Sequence, residues 1–171
     1  MEKLFLIDAY ALIFRFHYAF INRPMRNAQG LNTSAIFGFA KFLNELMVRE
    51  QPKYLGVAFD PPGGSFRREL FPDYKANRDA TPEDIIAAVP HIKAILEAMR
   101  IPVLEVAGYE ADDVIGTLSY KASCCGEYDV YMVTPDKDYG QLIKENVSMY
   151  KPAKGGEGID IVGLDKVCEN Y

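Results

Sequence analysis

The amino-acid sequence predicts an α/β fold built on a largely parallel sheet. Two observations carry this. Short apolar runs alternate with helical stripes along most of the 171 residues. Several of those runs are apolar at nearly every position, as strands covered on both faces are. Right-handed crossovers between such strands bring their C-terminal ends to one edge.

Leu4-Phe5-Leu6-Ile7 reads as the first buried strand, and a helix carrying Arg15 and His17 comes after it. Residues 34–50 place Ile36, Phe39, Ala40, Leu43, Leu46 and Met47 on one helical stripe, with Thr33 or Ser34 as cap. Residues 54–59 form a second strand. Residues 61–79 open with Pro-Pro-Gly-Gly and turn basic and aromatic, which is too long for a plain connection and marks a functional loop. Thr81-Pro82-Glu83-Asp84 is a helix start, a cap residue before a proline and two acids. Pro90 should kink or split the helix that continues to Met99. Val103–Val106 gives a third strand, and a helix after Asp112 turns Val114, Ile115, Leu118 and Ala122 inward. Residues 130–133 give a fourth strand and 147–150 a weaker fifth. Residues 151–158 form a Pro/Gly/Lys loop, and residues 162–171 read as a helix cut short, so a piece of a longer protein is expected.

Composition narrows the class. The chain weighs 19.2 kDa, is 49% hydrophobic and 25% charged, and suits one ordered domain. No apolar run approaches the ~18 residues of a membrane span, and Asp8 interrupts the N-terminal run. Three cysteines in no ligand spacing speak against a disulfide framework or a zinc site. A cytoplasmic setting without membrane contact is expected. The net charge of −5 argues by itself against a polyanionic partner.

The placing of the acids reverses that argument. Asp8 and Asp60 directly follow the first two strands. Glu110, Asp112 and Asp113 follow the third, and Asp136 and Asp138 the fourth. Parallel strands would gather all seven at one edge. Like charges at ~4 Å repel by roughly 1 kcal/mol in water and several times more near a protein surface. Hard divalent cations offset this, Mg²⁺ above all. Any one of these acids alone would pass as a helix cap or turn former; three within four residues exceed what capping uses. Without the seven, bases outnumber acids by two. Arg67, Arg68, Lys75 and Arg78 are then placed to engage phosphates, and Phe66, Phe71 or Tyr74 to stack on bases. Arg15 is a further candidate phosphate contact, while His17 reads as a packed or partly exposed histidine rather than a ligand. A side-chain nucleophile and a nucleotide-cradling glycine loop have no supporting motif.

At these residues the sequence resembles the N-terminal 5′-nuclease (5′-3′ exonuclease) domain of bacterial DNA polymerase I, in the flap-endonuclease family with its PIN-like fold. The stretches are Phe5–Asp8, Ala58–Asp60, Phe66–Leu70, Tyr74–Arg78, Gly108–Leu118, and Asp136–Asp138 with Gln141-Leu142. The resemblance implies a three-layer fold with helices on both faces of the sheet. Residues 1–160 would form the nuclease core and 161–171 the start of a truncated helix-hairpin-helix segment. It implies metal-dependent phosphodiester hydrolysis at 5′ flaps, nicks and RNA primers on DNA, in replication and repair, beside polymerase domains of the same parent chain. Two Mg²⁺ sites are implied, with Mn²⁺ able to substitute. Asp8, Asp60, Glu110, Asp112 and Asp136 would hold one, and Asp138 would serve the second, with Asp113 as a further metal ligand. Lys75 and Arg78 would be catalytic, and Arg15, Arg67, Arg68 and Tyr74 would bind substrate. The chain departs from the family's usual glycines at Ala9 and Pro135. Competing readings are a PIN-like ribonuclease on single-stranded RNA, a fragment that binds metal or DNA without cleaving, and a phosphoryl-transfer fold with Asp8 as nucleophile.

Overall fold

The computed structural model describes residues 1–153 and 158–170. Strand β1 (Glu2–Asp8) leads into helix α1 (Ala9–Ala19), and α2 (Ser34–Glu50) precedes β2 (Tyr54–Ala58). After a short helix α3 (Phe66–Leu70) come α4 (Glu83–Ala98), β3 (Val103–Leu104), α5 (Ala111–Cys125) and β4 (Tyr128–Val133). A 3-10 turn (Lys137–Leu142), β5 (Val147–Pro152), β6 (Ile159–Val162) and α6 (Leu164–Asn170) complete the order. The sheet order is β3-β2-β1-β4-β5-β6. All pairings are parallel except β5 with β6.

The chain order reverses direction across the sheet at β1, which lies between β2 and β4. Its side chains alternate between two cores. Phe5 and Ile7 join Leu12, Phe39, Leu43, Ile85 and Ile92 from α1, α2 and α4 on one face. Leu6 joins Ala58, Ile115, Met132 and Tyr139 on the other, where α5 packs. Two apolar faces on one strand explain its unbroken hydrophobic run. The result is the expected three-layer arrangement.

Several local expectations are corrected. Helix α4 runs unbroken through Pro90. That proline is exposed, so the carbonyl one turn earlier, which loses its N–H partner, can turn to water. The cap of α4 is Pro82, not Thr81, with its carbonyl accepting from the Ile85 and Ile86 amides. The third strand has only two residues. Residues 61–79 contain α3 and then consecutive turns closed by Tyr74 to Phe71, Ala76 to Asp73 and Arg78 to Lys75. Strand β6 was not expected, and the expected division after residue 160 falls inside it. Part of the expected 151–158 loop continues β5; residues 154–157 and 171 lie outside the described residues.

Candidate active site

Asp8 is the last residue of β1 and the N-cap of α1. Asp60 lies two residues beyond β2. Gly108, at φ +81°, makes the turn that delivers Glu110 as N-cap of α5, with Asp112 and Asp113 in that helix's first turn. Asp136 caps the 3-10 turn beyond β4, and Asp138 lies within it. All seven carboxylates line one open cavity of about 1470 Å³ at the C-terminal edge of the parallel strands. Arg67, Arg68, Tyr74, Lys75 and Arg78 line the same cavity.

The acids are less naked than their spacing implied. The Lys75 ammonium lies 2.6 Å from Glu110 Oε2, and the Ser65 hydroxyl donates to Oε1 at 2.9 Å. The Tyr74 hydroxyl reaches the same carboxylate at 3.4 Å. Arg67 grips Asp113 with both terminal nitrogens at 2.6 Å. Asp113 also accepts from the Glu110 amide at 3.1 Å, completing a capping box. Asp60 accepts from the Ala111 amide at 2.7 Å. Asp8 accepts from the Ala11 amide at 3.2 Å and from the Tyr139 hydroxyl at 2.9 Å. The cavity's own cations, amides and hydroxyls therefore offset much of the repulsion that cations alone were expected to relieve. Asp113 is thus held by Arg67 and by the helix cap.

The charges respond accordingly. Burial lifts Asp8 to about 6; its hydrogen bonds from Ala11 and Tyr139 pull it back, and the charges of Asp60 and Asp136 add to the rise. Burial also raises Asp112, with Asp113 and Glu110 repelling its charge. Burial would raise Glu110 as well, but Lys75 and Ser65 outweigh it and hold the carboxyl below its ordinary value. Arg67 does the same for Asp113. Two acids held low by cations and two held high by burial divide the site into a paired half and an unpaired half.

The unpaired half is where a cation would bind. Its donors are all carboxylate oxygens, with no histidine or cysteine lining the cavity, which is the donor chemistry of a hard divalent ion. Among the described residues no three acidic, histidine or cysteine side chains are already gathered as a cage. The site fits such an ion by the kind and number of its donors, not by a pre-formed polyhedron.

Arg15 is not part of this site. Its guanidinium donates to the Ala153 carbonyl at 3.2 Å and the Pro152 carbonyl at 3.5 Å. It lines a separate cavity of about 500 Å³ between α1, α2 and the β5–β6 pair. Along α1, Tyr10, Ala11 and Phe14 line the acidic cavity, whereas Arg15, Phe16 and Ala19 face the other one. His17 is buried.

Two residues of the site were not foreseen. Ser65 orients Glu110, and the segment that carries it is pinned where the Phe66 amide donates to the Gly108 carbonyl at 2.8 Å. Tyr139 reaches Asp8 from 131 residues away. A lone serine and a core tyrosine carry no local signal; only the fold brings them to their partners.

The family described as "5'-3' exonuclease, N-terminal resolvase-like domain" matches residues 3–171. The chain is 40% identical over 152 residues to a 5'-3' exonuclease of Aquifex aeolicus, covering 89% of this chain and 52% of that protein. It is 39% identical over 151 residues to DNA polymerase I of Borreliella burgdorferi, covering 88% of this chain and 16% of the polymerase. It thus spans about half of one relative and a small part of the other. Among solved structures it resembles the T5 D15 protein co-crystallised with metal ions, at TM-score 0.72 and 21% identity, over 99% of this chain and 61% of that one. A T5 D15 flap endonuclease variant in complex with DNA and metal ions matches at TM-score 0.71 and 20% identity, with the same coverage.

Proposed function

The chain belongs to the 5'-3' exonuclease N-terminal resolvase-like family, and from that premise we propose that it is a metal-dependent 5′ nuclease domain acting on flapped or nicked DNA and on RNA primers paired to DNA. One observation supports this above the others: carboxylates from four strand ends and a basic, aromatic segment line a single cavity. Each set alone has an ordinary structural explanation. Together they are the two halves of a phosphodiesterase, donors for cations and donors for phosphates.

Asp8, Asp60, Asp112, Asp136 and Asp138 would hold divalent ions, Mg²⁺ in the cell and Mn²⁺ in its place, with Glu110 shared between them and Lys75. Ions so held supply Lewis-acid polarisation of the phosphate and a water of lowered pKa. The protein's own part is binding and orientation. Lys75 and Arg78 bear on the charge that grows on the phosphate. Arg67 and Arg68 hold neighbouring phosphates, and Tyr74 offers a ring for an unpaired base. The cytoplasm is the setting, and polymerase domains are the expected neighbours in a longer parent, as in the DNA polymerase I relatives. Those relatives do not favour the single-stranded ribonuclease reading.

Substitution tests the proposal. Asp60→Asn keeps an acceptor for the Ala111 amide, and Asp112→Asn removes only charge. Each should lower cleavage of a 5′-flapped duplex in Mg²⁺ by at least a hundredfold with an unchanged circular-dichroism spectrum. Full activity in Asp112→Asn, or faster cutting of unstructured RNA than of flapped DNA, would show the assignment to be wrong.

A further inference from the structure

Asp8 differs from the paired acids of the site, because both of its oxygens are tied by neutral donors, whereas Glu110 and Asp113 are held by Lys75 and Arg67. Oδ1 takes the Ala11 amide in the first turn of α1. Oδ2 takes the Tyr139 hydroxyl at 2.9 Å. Tyr139 is 3% exposed and packs in the core cluster of Leu6, Ala58 and Met132. It lies on the turn that begins after β4, one residue beyond Asp138 and three beyond Asp136. The hydroxyl therefore joins the turn bearing the β4 acids to the acid at the end of β1. Packing does not require it, since a phenylalanine ring would fill the same apolar space. A buried hydroxyl must find an acceptor, and here the acceptor is a site carboxylate.

We propose that Tyr139 is a positioning residue, a strut whose hydroxyl fixes the rotamer of Asp8 and its spacing from the Asp136–Asp138 turn, and so sets the affinity of the site for divalent cations. The inference rests on the nuclease reading, in which Asp8 is a ligand. Removal of an outer hydrogen-bond partner of a ligand typically weakens metal binding by roughly 10–100-fold. The backbone of Asp8 stays held by β1 and α1, so the loss is one of side-chain order.

The test compares Tyr139→Phe with Tyr150→Phe in the full chain. Tyr150 is equally buried, but its hydroxyl donates to Glu50, away from the cavity. Mn²⁺ is titrated and free ion followed by electron paramagnetic resonance. The metal-induced rise in melting temperature is read against each variant's own metal-free value, which cancels any general loss of stability. Tyr139→Phe should weaken Mn²⁺ binding by about tenfold or more and lower kcat on flapped DNA at limiting metal, with recovery at excess metal and no change in KM for DNA. Tyr139→Met, which also lacks the hydroxyl, should weaken Mn²⁺ to a similar extent, and Tyr150→Phe should not. Wild-type Mn²⁺ affinity in either Tyr139 variant overturns the strut, and the nuclease reading survives if the wild type still binds Mn²⁺ and Asp112→Asn still abolishes cleavage. A wild-type chain that binds no Mn²⁺ overturns both.

Discussion

Asp8 shows how a single residue proposed as a ligand can be costly to the fold. It is buried and lifted from its ordinary 3.8 to about 6, so the folded protein binds its proton more tightly than the unfolded chain does. Stability is then greatest below pH ~4 as far as this group is concerned, and falls as the pH rises from there through about 6. The ionised form at neutral pH costs roughly 3 kcal/mol. In chelator, Asp8→Asn should therefore raise the melting temperature at pH 7.5 and flatten its decline between about pH 4 and 6. A lower melting temperature for the variant at pH 7.5 would show that the charge is not the strained feature. Its role as a candidate ligand was legible in the sequence, because an acid directly follows an apolar strand. Its burial and its bond to Tyr139 were not, because both depend on distant contacts.

At the scale of elements, the site depends on how α3 and α5 are fastened together. Gly108 makes the turn into α5 with a positive φ, and its carbonyl receives the Phe66 amide that opens α3. Nothing lies within 4 Å of where a Cβ would project, so Gly108→Ala meets no clash and tests backbone conformation alone. The variant should lose about 1 kcal/mol in urea unfolding, and kcat should fall further than that loss explains as Glu110 and Arg67 shift. Unchanged stability would mean that the turn accommodates alanine without strain. Helices α2, α4 and α5 and the strands β1 to β5 could be traced from apolar patterning, β3 being shorter than its apolar run. The short helix α3 could not, because five residues with no buried side chain leave no apolar stripe. Strand β6 was hidden for a related reason: four residues next to glycines give too little pattern.

Across the whole molecule, a net charge of −5 conceals a division of labour. Acids gather at the strand ends, and cations gather on the 61–79 segment, which lines the same cavity and pairs with two of the acids. DNA binding that relies on those few cations should weaken steeply with salt. Between about 50 and 200 mM KCl the apparent Kd for a flapped duplex should rise by an order of magnitude or more, and Arg68→Ala should lower the slope of log Kd against log salt. A salt-independent Kd would exclude phosphate contacts as the main source of affinity. The convergence of the acids was foreseeable from parallel strands; that Arg15 serves another face of α1 was not, because its direction depends on helix phase and on the far sheet edge. The borders of that sheet have a further consequence. One border strand is two residues long and the other four, with Asp160 of the latter set between Lys151 and Lys166. Borders so brief and charged make poor templates for strand addition by a neighbouring molecule, so crowded solutions of this protein should resist fibril growth even though its central strands are strongly apolar.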